Sequence, residues 1–239
     1  MKTILLPIDP GEGQEARLQA AFDLARAFSG HIIAVQVTPF AAYAVGDTGL
    51  GAFPITTLID AIDAERNSER LSVEARLASE GVSWEWLARD GDLSEVLATF
   101  GRLADVIVMN CGPFATANGN RLSITGDVAI AAPAPVLAVP PASRGVDFTG
   151  PALIAWDGSQ QAALALRAAM PLLRLAGAVS LLTVEEKHPD LRGRDAAAWL
   201  DRHGIAATVV ERSIGDATIE AIIRGVVAET GASLLVQGA

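Results

Sequence analysis

Apolar positions along this chain form short continuous runs separated by longer stretches in which apolar residues recur at helical steps, and the whole series is written almost twice. Thr3-Ile4-Leu5-Leu6-Pro7-Ile8-Asp9 and Ala152-Leu153-Ile154-Ala155-Trp156-Asp157 each close on an aspartate and lead into an Ala/Leu-rich segment. Gly30 precedes the run His31–Val37, and Gly177 precedes Ala178–Val184. Arg89-Asp90-Gly91-Asp92 is answered by Ser213-Ile214-Gly215-Asp216, and Ala104–Asn110 by Ala232–Gly238. Short β-branched runs alternating with helical stretches predict a parallel sheet with helices on its faces, repeated in tandem.

In the first copy the pattern predicts strands over Thr3–Asp9, His31–Thr38, Ser83–Arg89, Asp105–Asn110 and Val136–Val139. A helix over Glu15–Phe28 turns Leu18, Phe22, Ala25 and Phe28 toward the sheet. A second, over Pro54–Glu80, starts with Ile55, Leu58, Ile59 and Ile62 at helical steps and leaves its polar portion Asp63–Glu69 to water. Asp92 and Glu95 stand at capping-box separation and predict a helix start; Asp216 is the expected cap in the second copy. The run Pro140–Gly150 reads as a linker, giving domains over residues 1–141 and 151–239. The Ala/Gly-rich excursion between Pro39 and Phe53 has no counterpart in the second copy and reads as a mobile cover or a partner contact.

Composition narrows the classes. Apolar residues make up 51% of the 239 residues, yet no run reaches the roughly 18 apolar residues of a membrane span. Parallel strands buried on both faces account for the excess. The short stretch before Asp9 does not fit a signal peptide, so a cytoplasmic protein is expected. A net charge of -10 argues against nucleic acid and anionic membranes as partners. The lone Cys111 fits a reducing compartment, and no basic cluster is evident that would activate it, so a buried or half-buried small hydrophobe is expected there. His31, His188 and His203 are scattered, and no metal site is expected. Trp84 and Trp86 share one strand face, predicted to lie under a helix. Ser123 and Thr125 have no identifiable base partner for nucleophilic chemistry.

In open parallel sheets ligands bind beyond the carboxyl ends of the strands, where strand order reverses. Asp9 and Asp157 fall at such ends. Each can accept hydrogen bonds from a ligand there, or can simply cap the helix that follows, and both readings stand on the residues alone.

The ordered pattern of strand-Asp-helix, Gly-strand-Val, Gly-Asp-helix and Ala-Asp-strand, in tandem and with Asp157-Gly158-Ser159 in the second copy, resembles the universal stress protein family over nearly the whole chain. The resemblance implies two flavodoxin-like or Rossmann-like α/β units of the adenine nucleotide alpha hydrolase kind, with strand order 3-2-1-4-5, and a site for ATP or AMP, with magnesium only alongside bound ATP. It would place Asp157, with Gly158 and Ser159, against the adenine, and the backbone of Val184 in support of the base. The triphosphate would lie on a loop of form G-x-x-G-x9-G-[ST] beginning at Gly238. In the first copy that loop departs from the pattern: counting back from Gly126, Thr116 and Pro113 hold the earlier glycine places, Asp127 stands for the final Ser or Thr, and Gly112 and Gly119 are out of register. Asp9, Val37, Gly112 and Gly126 therefore mark a degenerate site.

The expectation is a stress-response or signalling protein that binds an adenine nucleotide in its second domain and is not an efficient enzyme. The rival is a dimerisation or protein-interaction module of the same fold that binds no nucleotide. The second copy is expected to continue about 30 residues past Ala239, judged from the first copy, through a phosphate loop and a last strand. In the family such last strands often pair across domains or in a homodimer, which points to Ala134–Val139 as the meeting surface.

Overall fold

A computed structural model describes residues 1–38, 55–111, 114–115, 121–122, 124–184 and 191–239. The chain divides into two compact units, Met1–Gly145 and Val146–Ala239, with the division falling inside the expected linker.

The first unit runs β1 (Thr3–Ile8), α1 (Gln14–Phe28), β2 (His31–Thr38), α2 (Ile55–Ser79), β3 (Ser83–Asp90), α3 (Leu93–Phe100), β4 (Val106–Asn110), α4 (Ile124–Ala131) and β5 (Val136–Val139), with a small antiparallel pair, Phe114–Ala115 with Arg121–Leu122, after β4. Its five strands are parallel in the order β3-β2-β1-β4-β5. The second unit runs β6 (Ala152–Trp156), α5 (Gln160–Leu173), β7 (Val179–Val184), α6 (Gly193–Arg202), β8 (Ala207–Arg212), α7 (Ile219–Thr230) and β9 (Leu234–Val236). Its strands are parallel in the order β8-β7-β6-β9, the same winding over four strands.

Alternation along each strand divides the core between the two faces of each sheet. In the first unit Leu5, Val35, Ile107 and Met109 pack with Leu97 of α3 and Val128 of α4. Ile4, Leu6 and Ile8 alternate to the opposite face, where α1 buries Ala21, Phe22 and Leu24. In the second unit Ala152, Ile154 and Trp156 pack with Leu166 and Leu173 of α5 and Leu200 of α6, while Leu153 and Leu182 pack with Val226 of α7. Pro171 lies inside α5, in its last turn, where little helix remains to be broken.

Helix ends test the expected caps. The Asp92 side chain accepts a hydrogen bond from the Glu95 amide at 3.1 Å and caps α3 as expected. Asp216 does not cap α7. Thr218 does, through the Ala221 amide at 3.2 Å. Gly215 adopts φ 49° and Ala217 N–H donates to the Ile214 carbonyl, a tight turn that spends Asp216 before the helix begins. Trp86 lies under α2, with Arg70 of that helix over its ring at 5.6 Å.

Candidate functional site

The carboxyl ends of the central strands bring the two copies' aspartates to equivalent places and surround them differently. Neither aspartate caps a helix. Asp9 Oδ1 accepts from the Gly11 amide at 2.8 Å, and α1 starts from Gly13 with no side-chain cap. Asp157 Oδ1 accepts from the Ser159 amide at 3.0 Å, and Ser159 is itself the cap of α5, accepting from the Ala162 amide at 3.1 Å. Gly158 between them has φ 78°, a left-handed conformation that an L side chain adopts at a cost.

In the first unit the space beneath Asp9 is filled by the chain's own charge. Arg17, on the inward face of α1, is 1% exposed and its guanidinium reaches Asp9 Oδ2 at 2.6 Å. It also donates to Asn110 Oδ1, at the end of β4. The Asn110 amide then donates to the carbonyls of Gly13 and Val139, each at 3.2 Å, which ties α1, β4 and β5 together. A Cβ on Gly13 would lie 2.7 Å from the Asn110 amide nitrogen, and its φ of 94° is left-handed, so only glycine fits there. Burial pushes the Arg17 pKa down, and Asp9 works against that shift.

Beside this pair Gln36 of β2, 4% exposed, donates to the Arg66 carbonyl at 3.2 Å and to the Glu69 carboxylate at 2.9 Å. Glu69 is therefore turned inward and half-buried, against the expectation that Asp63–Glu69 faces water. Desolvation raises its pKa, with repulsion from Asp9 and Glu65 adding to the shift and the Gln36 hydrogen bond opposing it. A carboxyl whose folded pKa is raised stabilises most when protonated, and that contribution is lost as pH rises from its ordinary range through the folded value. Glu69→Gln should therefore raise the stability at pH 7 by about 0.5 kcal/mol given the group's remaining solvent contact, and the gain should vanish near pH 4. Urea titrations of both proteins across that pH range check it; a gain that persists at pH 4 would count against the buried-carboxylate account.

At the equivalent positions the second unit carries smaller side chains. Counting from the strand register (Ile4 opposite Ile32, Ala152 opposite Val179), Thr183 stands where Gln36 does. Val106 and Leu234 stand opposite the equivalents Ile4 and Ala152, so Gly238 holds the place of Asn110. The fourth residue of α5 is Ala163, where α1 has Arg17. Gly238 lies against the start of α5, where a Cβ would be 2.8 Å from the Ala162 nitrogen. The Thr183 hydroxyl is buried with no hydrogen-bond partner among the described residues. Trp156 closes the floor, its indole N–H donating to the Leu191 carbonyl at 3.0 Å.

The sequence-predicted residues separate accordingly. Asp157, Gly158 and Ser159 form one turn at the end of β6, Gly238 lies beside the first turn of α5, and Val184 ends the neighbouring strand β7. In the first unit Val37 is the equivalent of Val184 and packs among the residues under α3 and α4. Gly126 is not in a loop: it lies inside α4, because the Ile124–Ala131 segment has enough apolar helical character to continue through it. Thr125 donates to the Asn110 carbonyl at 2.8 Å, a structural bond. Gly112, Pro113, Thr116, Gly119, Ser123, His188 and the excursion between Pro39 and Phe53 lie outside the described residues. Cys111 is exposed rather than buried, and desolvation still raises its thiol pKa, the opposite of an activated thiolate. Arg17 and Glu69 were not singled out from sequence; an arginine on the apolar face of an amphipathic helix was the available signal for the first.

Among the described residues no group of three or more His, Cys, Asp or Glu side chains is placed to hold a metal ion, and no helix is long and apolar enough to cross a membrane.

A universal stress protein from Archaeoglobus fulgidus superposes with a TM-score of 0.73 at 20% identity, over 98% of this chain and 85% of that one. A universal stress family protein from Burkholderia pseudomallei gives a TM-score of 0.45 at 23% identity, over 58% of this chain and 96% of its own. A universal stress protein from Archaeoglobus fulgidus in complex with dAMP gives 0.39 at 20% identity, over 58% and 98%. No curated protein matches the chain. The family model for the universal stress protein family matches residues 1–140, more than half of the 239. With that match across the first copy and the same strand winding in the second, the chain belongs to the universal stress protein family.

Proposed function

We propose that the second unit binds an adenine nucleotide at the carboxyl ends of β6 and β9, and that the protein acts as a nucleotide-dependent stress or signalling component rather than by turning substrate over. One observation carries the reading: where the first unit packs Arg17, Asn110 and Gln36 beneath its aspartate, the second has Ala163, Gly238 and Thr183. With those large side chains replaced, the end of β9 lies directly against the first turn of α5, whose N-terminal amides favour an anion. Asp157 can accept from an exocyclic amine, and the Val184 backbone ends the strand next to it. ATP and AMP are the candidate ligands, with magnesium carried by ATP.

The first unit, in this reading, is a structural half. Its Asp9 carboxylate is held by Arg17, and removal of that cation alone would not supply a phosphate cradle. Asp157→Ala should weaken AMP and ATP binding at least tenfold, about 1.4 kcal/mol, while the chain stays folded. Isothermal titration of the full chain with each nucleotide measures it. Affinity unchanged by the substitution would sink the site, and a chain that ignores both nucleotides would leave the interaction-module reading in its place.

A further inference from the structure

The groove between the paired helices on one face of the sheet occurs in both units and is completed differently in each. In the first unit, between α1 and α2, it is closed by the chain's own acids. Arg26 and Arg76 both pair with Glu80, and Arg76 also reaches Glu15 at 3.0 Å. The two guanidinium groups lie over the Phe22 ring, at 5.9 Å and 5.0 Å. Cation, aromatic ring and carboxylate are all supplied internally.

In the second unit the groove between α5 and α6 is a depression of about 260 Å³ lined by Arg167, Met170, Pro171, Arg174, Trp199 and His203. Arg167 lies over the Trp199 ring at 5.5 Å, and His203 meets the same ring at a tilt of 57° with a centroid distance of 4.2 Å. The cation and the aromatic ring are both present. The acid is not. Trp84 of β3 and Ala207 of β8 stand at the same register, opposite the equivalents Ile32 and Val179. Counting back from them, His203 holds the place of Glu80 and Trp199 that of Arg76. No aspartate or glutamate occurs between Asp157 and Glu185, and neither Arg167 nor Arg174 makes an ion pair among the described residues. Both arginines are exposed, two turns apart on α5 and its end, about 10 Å along the axis.

We propose that this groove binds an acidic segment of a partner protein, with a carboxylate from the partner taking, between Arg167 and Arg174, the place that Glu80 fills in the first unit. The argument is charge complementarity in a particular setting. The chain carries a net charge of -10, so its field disfavours acidic partners everywhere except at a local cationic patch. Exposed arginines beside an aromatic ring are the residue types that anchor protein interfaces, and a carboxylate meets a guanidinium in bidentate geometry. Met170, Pro171 and Trp199 offer apolar surface for the stem of a glutamate side chain.

The test uses the full chain, labelled with ¹⁵N, and N-acetyl-hexaglutamate as the probe. Trp199→Phe identifies the Trp199 indole resonance. Addition of the peptide should shift that resonance saturably and leave the indole of Trp84, in the first unit, unmoved. Arg167→Gln with Arg174→Gln should weaken binding about tenfold without lowering the melting temperature. His203→Glu, which installs the acid of the first unit, should close the groove from within and weaken the peptide to a similar degree. The proposal is overturned by an absent or unsaturable shift, by affinity that survives these substitutions, or by inorganic phosphate displacing the peptide at equal concentration, which would mark a general anion patch. Concentration-dependent self-association abolished by the same substitutions would also overturn it, by making a second copy of the chain the occupant.

Discussion

Asp9→Ala should lower the stability of the first unit by about 3 kcal/mol, whereas Asp157→Ala, at the equivalent place in the second, should cost less than about 1 kcal/mol. The difference lies in what each aspartate leaves behind. Arg17 is 1% exposed and is held by Asp9 Oδ2, the Asp9 carbonyl and Asn110. With the carboxylate gone, the buried guanidinium loses the opposite charge bonded to it at 2.6 Å and keeps the weaker attraction of Glu69. Removing one member of a buried pair costs roughly 3–5 kcal/mol because of that stranded charge. The lower end applies, since the Asp9 side chain is 28% exposed and water can enter the space it vacates. Arg17→Met should cost less than Asp9→Ala, because the surviving carboxylate can hydrate, and Asp9→Ala with Arg17→Met should be milder than Asp9→Ala alone. Hydrogen exchange at the amides of β1, β2 and β4 reads the first unit separately from the second. Equal losses for Asp9→Ala and Asp157→Ala, or additive losses for the pair, would show that Arg17 draws nothing from Asp9.

The same pair shows where sequence reasoning reached and where it stopped. Strand positions were legible because parallel strands buried on both faces stand out as continuous apolar runs, and tandem repetition doubled the signal. The aspartates were legible as strand-end residues, but their role was not. Whether an aspartate caps a helix, holds a buried cation or faces a ligand depends on what the neighbouring elements place beneath it, and Arg17, Asn110 and Gln36 come from three different elements. Glu69 read as a water-facing residue because helical periodicity assigns a face from composition, and its polar character hid an inward partner in Gln36. Gly126 looked like a loop glycine by spacing alone, while the apolar residues around it carry α4 through that position. Asp216 failed as a cap for a related reason: the turn at Gly215 moved the helix start two residues on, to where Thr218 serves.

In the second unit the most sensitive position to added bulk should be Gly193, which opens α6. It is buried, and a Cβ there would collide with the Thr183 hydroxyl and come within 3.1 Å of Leu181 Cδ2 and 3.5 Å of Val209 Cγ1. Those atoms belong to β7 and β8, so α6 sits close on the sheet only because this residue has no side chain. Gly193→Ala gains some helix propensity but forces the helix start off the strands, a net loss of about 1–3 kcal/mol in the second unit by overpacking. Because Thr183 precedes Val184, the displacement should also weaken nucleotide binding if the β7 end supports the base. Thr183→Ala in the Gly193→Ala background removes the colliding hydroxyl, which has no hydrogen-bond partner among the described residues, and should recover part of the loss. Urea unfolding followed at the Trp156 and Trp199 signals, with Trp84 and Trp86 replaced by phenylalanine, measures both steps. A Gly193→Ala chain as stable as the parent would mean that α6 can lift from β7 at no cost, and the close approach at Thr183 would then carry no energetic weight; a large loss relieved by Thr183→Ala would place the constraint at that one contact.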